Sequence, residues 1–392
     1  MQIGVDACCW LNKRGFGRFT RELLCALVAL DWENDYIFFV DRDTATNATF
    51  PTTVEVSIAS THISPIEAAS AEGRRSLRDL WALTRQVRDY TLDLFFFPAV
   101  YSYFPILNRT KVVLTIHDMI PDLHPIEVFP NRRLRFFWQL KQWVALRQTD
   151  RVLTVSEHSK RQISEICKIP LSHIGVVSEA PGEAFSRFSE DATTFSLLDR
   201  YGIEKEQRFL LYVGGISPHK NLGGLVQAFS YLKEDPANKD VILLLVGDYQ
   251  GDSFFSDYGR LKQQIQQSGL ADQIIFTGFI PDQELVILYH ASALLVFPSF
   301  LEGFGLPAIE AMACGVPVAA SRTGSLPEVL GEAGEFFDPY NPQDIHRVIQ
   351  KILSHPDLAQ NMREQGLRRA KNFSWENAAR ETLSIFQQTV NA

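Results

Sequence analysis

Short β-branched or aromatic runs alternate with longer amphipathic segments along nearly all of the 392 residues. Apolar runs bounded by turn residues read as buried strands, and segments with a 3.6-residue apolar period read as helices. Their alternation predicts repeated βα units around parallel sheets, an α/β fold. In the first half, strands are expected near Ile3–Val5, Tyr36–Val40, Val54–Ile58, Leu94–Phe97, Val112–Ile116, Val152–Val155 and Ile174–Val177. Helices are expected near Gly17–Leu30, Glu72–Asp89, Asn131–Gln148 and Glu157–Cys167.

From Pro181 to about Gln207 the sequence turns polar and irregular, as an interdomain connection does. A second alternating series follows, with strands near Phe209–Val213, Val241–Val246, Ile274–Thr277, Leu294–Phe297 and Val316–Ala320. Its helices are expected near Asn221–Leu232, Ser253–Ser268, Asp282–His290, Leu306–Ala313, Pro342–Leu353, Pro356–Asn372 and Trp375–Val390. The length fits two domains. They are expected over residues 1–180 and 200–373, each doubly wound, with strand ends facing a shared cleft where such sheets bind ligands.

The stretch FPSFLEGFGLPAIEAMACGVPVAAS, Phe297–Ser321, carries the densest chemistry. A strand ends, a glycine-rich loop follows, and a helix begins at Leu306–Pro307, where proline loses nothing because its missing N–H would be unpaired anyway. Gly303 and Gly305 allow close backbone approach. The amides of Gly303, Phe304, Gly305 and Leu306 would then point outward at a helix start, a site for anions or hydroxyls. Glu302 and Glu310 bracket the turn. Carboxylates repel phosphate but accept hydrogen bonds from vicinal hydroxyls, at about 1.5–3 kcal/mol each.

This string resembles the donor-binding signature of the retaining glycosyltransferases of family 4, which have the GT-B fold of two Rossmann-like domains, and the resemblance runs over the whole chain. It implies that Glu302 contacts hydroxyls of the transferred sugar and that Glu310 holds the ribose diol. It also implies that the C-terminal helix, residues 374–392, crosses back onto the first domain. In LYVGGISPHKNLGGLVQAF, Leu211–Phe229, a strand ends in Gly214–Gly215, and Lys220 would give a diphosphate a point positive charge. The family usually adds an arginine; here Gly215–Ile216 take its place, and Ser217 or His219 are the candidates to compensate. TGFIPDQEL resembles the loop that reads the base through backbone atoms, implicating Gly278, Phe279 and Ile280.

In the first half, VVLTIHDMIPDLHP sets His117 and Asp118 at a strand end. The family has a histidine in this place touching the donor sugar, and Asp118 is the expected orienter of its imidazole. The IP–HP segment would shape the acceptor pocket. His62 and His346 are read as structural. Asn12–Arg18, NKRGFGR, is expected to be a flexible loop near the diphosphate and acceptor, with Gly15 and Gly17 allowing close approach and Arg14 and Arg18 adding charge.

Two patterns imitate other chemistries. Gly15, Gly17 and the later Asp41 mimic a dinucleotide fingerprint, but Thr20 fills the third glycine's place. Asp41-Arg42-Asp43 mimics a DxD metal motif, although acids at strand ends are ordinary turn residues. Neither a catalytic metal nor a cofactor is expected.

Charge adds a partner class and removes one. A net charge of −8 argues against nucleic-acid binding. Residues 1–180 carry 21 Lys+Arg against 20 Asp+Glu, and the remainder 17 against 26, so the first half is the one suited to an anionic partner. Its segment Phe129–Gln148 mixes Arg132, Arg133, Arg135 and Lys141 with Leu134, Phe137, Trp138 and Val144 at helical spacing. The default reading of that stripe is domain core; the alternative is a helix resting on an anionic bilayer. The five cysteines show no metal or redox spacing. No signal peptide or spanning segment is read, so the expected location is cytoplasmic; peripheral contact at the inner membrane face goes with the alternative reading of the segment Phe129–Gln148.

The function expected is metal-independent, retaining transfer of a hexose from a nucleotide sugar to a glycan or lipid-linked acceptor, in cell-surface polysaccharide synthesis. UDP-glucose or another UDP-hexose comes first on family frequency, and GDP-mannose next. His117, Glu302 and Lys220 are the expected catalytic residues. A sugar-nucleotide epimerase of the same architecture, and a non-catalytic binding protein, are the alternatives.

Overall fold

The computed structural model describes residues 1–61, 77–129, 131–186, 197–204, 207–249 and 256–392. The start of the helix expected from Glu72, residues 187–196 and 205–206 of the polar connection after Pro181, the start of the helix expected from Ser253, and His62 lie outside the described residues. The chain divides into two units, Met1–Glu179 with Ser374–Ala392, and Ala180–Phe373.

The first unit is built on strands β1 (Gln2–Asp6), β2 (Asp35–Asp41), β3 (Glu55–Ala59), β4 (Leu94–Phe97), β5 (Lys111–Thr115), β6 (Arg151–Thr154) and β7 (Ile174–Val176). They form one parallel sheet in the order β3-β2-β1-β4-β5-β6-β7. Parallel sheets are covered on both faces, so central strands carry unbroken apolar runs. All four residues of β4, LFFF, are buried. Phe95 and Phe97 pack with ring centroids 4.8 Å apart, and Phe104 lies 5.2 Å from Phe97. Helix α1 (Gly15–Leu30) follows β1 and buries Phe19, Leu23, Leu24 and Leu27. The C-terminal helix, Trp375–Val390, belongs to this unit; its Phe386 ring sits 5.1 Å from Phe96.

The second unit holds β8 (Phe209–Val213), β9 (Ile242–Val246), β10 (Ile274–Gly278), β11 (Leu294–Phe297), β12 (Val318–Ser321) and β13 (Gly334–Phe337), all parallel, in the order β10-β9-β8-β11-β12-β13. Apart from the added β7, this repeats the first sheet's order. Each sheet reverses direction of growth beside its first strand, between β1 and β4 and between β8 and β11. At such a switch point neighbouring loops diverge and leave a crevice beyond the strand ends.

Several short elements, the helices Ile120–Leu123, Pro125–Val128 and Leu326–Leu330 among them, were not in the sequence expectation, and two others show why. β13, GEFF, was not expected: it is a four-residue edge strand, one face only partly covered, and shows no apolar run. Helix α2 (Arg42–Asn47) was also unexpected, because its six residues, all polar but Ala45, carry no apolar period. It forms because Asp41 caps it, accepting from the backbone N–H and hydroxyl of Thr44 at 3.1 and 2.6 Å. The Asp41-Arg42-Asp43 pattern is therefore a helix start.

Candidate active site

The chemistry-bearing residues of the second unit converge on its switch point. The loop after β8 carries Lys220, and the loop after β11 carries Glu302. Lys220 Nζ donates to Glu302 Oε1 at 2.6 Å, and both side chains are largely buried. The expectation had placed Lys220 directly before a helix; the structure inserts the 3-10 turn Pro218–Lys220 and Asn221 before helix α3 (Leu222–Leu232). The ammonium is thus drawn to a carboxylate 82 residues away rather than left against the helix dipole.

Helix α4 (Leu306–Ala313) begins where the sequence placed it. Its N-cap Gly305 has φ +109°, which an L side chain resists, and a Cβ there would lie 2.7 Å from Leu326. The first N–H groups of such a helix have no acceptor within it, which leaves the Leu306 amide at the loop face. Buried Ser325 clamps the loop from below, donating to Phe304 O at 2.8 Å and lying 3.1 Å from Glu302 O. Glu302 is 8% exposed and Glu310 2%. Glu310 Oε2 accepts from the hydroxyl of buried Tyr289 at 3.1 Å, an oxygen also 3.2 Å from Pro307 O. Neither acid stands out in solvent.

The other predicted donor residues take varied places. Gly214 and Gly215 form the turn after β8, where Tyr212 Oη donates to Gly215 O at 2.8 Å. Burial, reinforced by the charge of Glu302, pushes the Tyr212 hydroxyl well above its ordinary pKa and keeps it a donor. Ser217 Oγ lies 3.3 Å from His219 Nδ1, and the His219 carbonyl accepts from Phe300 N–H at 2.9 Å. Gly278 ends β10 with φ +77°, beside half-exposed Phe279 and buried Ile280. Phe304 is buried against Phe373, and Gly303 and Leu306 are buried in the loop.

Two expectations for the first unit are corrected. The loop after β1 is shorter than expected, because α1 starts at Gly15 and takes Gly17 into its first turn. A Cβ on Gly17 would lie 2.1 Å from the Asn12 carbonyl oxygen, so this glycine admits its own chain. His117 is not oriented by Asp118, which accepts from Ile120 N–H at 2.9 Å and shapes the following turn. The imidazole instead has Nε2 at 3.0 Å from Pro98 O and Nδ1 at 3.5 Å from Glu179, with Phe19 edge-on at 4.7 Å. Proline 98 follows β4 and His117 follows β5, next to this sheet's switch point. Nothing in the sequence near His117 signals Glu179, which lies 62 positions on.

The basic aromatic helix Arg132–Gln148 also departs from its default reading. Trp138, Gln142 and Ala145 face inward, while Phe136, Phe137, Leu140 and Trp143 are exposed. Apolar residues surround this helix, so spacing alone does not choose the buried side. Arg133 lies 5.8 Å over the Phe137 ring and Arg147 4.4 Å over Trp143. No helix among the described residues is long and apolar enough to cross a membrane. Among them, no group of three or more His, Cys, Asp or Glu side chains is arranged to hold a metal ion.

Known proteins match both units. Residues 13–179 match the family described as Glycosyltransferase Family 4, and residues 196–369 match Glycosyl transferases group 1. An O-antigen chain mannosyltransferase B of Escherichia coli is 32% identical over 79% of this chain and 77% of its own. The chain belongs to glycosyltransferase family 4. The serotype-specific mannosyltransferase WbdA of Escherichia coli is 32% identical over 72% of this chain but only 34% of its own, so the match spans about a third of that relative. Among solved structures, the sucrose-phosphate synthase of Thermosynechococcus elongatus has a TM-score of 0.76 at 19% identity, covering 99% and 98% of the two chains. HepE of Anabaena, in complex with UDP and glucose, has a TM-score of 0.73 at 17% identity, covering 98% and 99%. The fold is GT-B.

Proposed function

We propose that this protein transfers a hexose from a nucleotide sugar to a glycan or lipid-linked acceptor, with retention at the anomeric carbon and without a metal. The observation that carries this reading is the Lys220–Glu302 contact of 2.6 Å across the switch point, set beside a left-handed Gly305 turn. In this reading Lys220 and the loop amides hold the diphosphate, Glu302 accepts from sugar hydroxyls, and Glu310 holds the ribose. As the C1–O bond to the diphosphate breaks, negative charge grows on the phosphate oxygens, where fixed dipoles and Lys220 stabilise it. The acceptor hydroxyl adds to C1 from the same face and gives its proton to the departing phosphate. Glu302 is neutralised by Lys220 and makes a poor nucleophile, which favours this route over a covalent intermediate. His117 is assigned to the transferred sugar, held in orientation by Glu179 and Pro98.

Family frequency favours a UDP-hexose donor, but relatives named as mannosyltransferases favour mannose, and GDP-mannose is the donor we propose. The same names support a place in surface-polysaccharide synthesis. The exposed aromatic and arginine face of the helix Arg132–Gln148 is assigned to an anionic bilayer that carries the acceptor.

The test is incubation with GDP-mannose, UDP-glucose and other nucleotide sugars, with and without lipid-linked saccharides, following nucleoside diphosphate release and product linkage. Release of GDP with an α-linked mannoside, unchanged by EDTA, is expected. Donor conversion without acceptor would point to an epimerase, and no turnover of any donor would end the assignment. Vesicles containing phosphatidylglycerol are expected to bind the protein in a salt-sensitive way; no binding at low salt removes the membrane element.

A further inference from the structure

Asn221 sits at the N-cap of α3, where its carbonyl accepts from Leu225 N–H at 3.2 Å, yet its side chain and dihedrals are not those of a capping asparagine. Such residues take extended dihedrals and accept a hydrogen bond from the first helical turn. Asn221 has φ +55° and ψ +37°, and its side chain caps nothing. The other non-glycine residue with positive φ among the described residues, Lys168, ends a helix, a common place for that conformation. The left-handed backbone at Asn221 sends its amide elsewhere. Buried Nδ2 donates to Pro298 O at 3.1 Å and to Pro339 O at 2.7 Å.

These carbonyls belong to the loops that leave β11 and β13, 77 and 118 residues away in the chain. One side chain therefore joins three loops at the carboxyl edge of the second sheet. The fit is close: a Cβ on Gly224 would stand 2.6 Å from Asn221 Oδ1, so the helix leaves a gap where the amide passes. Lys220 directly precedes this staple, and Glu302 lies four residues beyond Pro298.

We infer that Asn221 is a positioning residue for the donor: it fixes the spacing between the ammonium of Lys220 and the Glu302 loop, and so the fit of a nucleoside diphosphate. This rests on the proposed function of the same site. Without the amide, the turn 217–221 keeps one backbone bond to the β11 loop, Phe300 N–H to His219 O, and can pivot about it. Both arms of the site would then lose register together.

The experiment is calorimetric titration of the full chain with UDP and GDP. N221G keeps the left-handed backbone and removes the staple; G224A keeps Asn221 and displaces its side chain, while placing a better helix former in α3. Both are expected to unfold within a few degrees of the unaltered protein and to bind its preferred diphosphate at least tenfold more weakly. Adding K220A to N221G is expected to cost less affinity than K220A alone, because Asn221 acts through Lys220. Unaltered affinity in either single variant, or strictly additive losses in the double variant, overturns the inference. If the unaltered protein binds neither UDP nor GDP, the donor reading itself falls, a result distinct from the others.

Discussion

The two units share a strand order and a switch point but use them differently. In the second, the loops after β8 and β11 bring together a lysine, the nearly buried Glu302 and a left-handed glycine. In the first, the corresponding edge holds the His117 imidazole between a backbone carbonyl and Glu179, and α1 closes tightly over the loop after β1 through Gly17. The sheet decides where a ligand site can be, and the loops decide whether charge is concentrated there. In the proposed reading, one unit holds the anionic leaving group, while the other orients the transferred sugar and, on its outer helix, meets a bilayer.

The largest effect expected of that asymmetry is in K220A, which removes the cation from the second unit. Turnover is expected to fall by about three orders of magnitude, the upper range for losing one electrostatic stabiliser. A fall of less than tenfold in steady-state assays would place the leaving group elsewhere. E302Q is expected to lower turnover about a hundredfold. Its binding should move the opposite way, with free nucleoside diphosphate held several-fold tighter because Lys220 is no longer neutralised. Weaker binding in titration would show that the ion pair does not compete with the diphosphate.

Glu310→Ala leaves the buried Tyr289 hydroxyl without its carboxylate, and about 1–3 kcal/mol of stability is expected to be lost in denaturant unfolding. Nucleotide affinity is expected to drop about tenfold, the cost of one charge-assisted hydrogen bond. E179Q probes the first unit and is expected to slow turnover several-fold while leaving diphosphate affinity unchanged. An equal loss of affinity would erase the proposed division of labour.

The smallest effect is in pH dependence. In the second unit Asp240 is held below its ordinary pKa by the hydrogen bond from Arg208. Asp344 is held down as well, since Asp338 N–H, Arg347 and Arg322 outweigh its burial. Lowered carboxyls give stability that is present above their unfolded pKa and lost as pH falls through the folded value. In the first unit burial raises Asp122 and Glu381, whose contribution is present below the unfolded pKa and lost as pH rises through the folded one; Asp31, lowered by Tyr36 and Asn34 despite its burial, opposes them. On acidification below about pH 5, hydrogen exchange is expected to rise first in the second unit. Simultaneous opening would show that these carboxyls do not set the order.

The chain itself determined the two βα series, because runs such as FLLYV and LFFF, set between amphipathic helical segments, need the cover on both faces that a parallel α/β sheet gives. It also determined the start of the helix at Leu306, through Gly305 before it and Pro307 within its first turn. Side-chain partnership was decided only in three dimensions. The carboxylate beside the His117 ring lies 62 positions away, and Asn221 reads as the first residue of a helix until its amide is seen reaching Pro298 and Pro339. The outward face of the Arg132–Gln148 helix was likewise open, since a helix apolar on every side carries no instruction about which side to bury. Local rules fix backbone geometry over a few residues; which distant groups meet depends on how whole sheets stack their loops, and one sequence read along its length does not contain that distance.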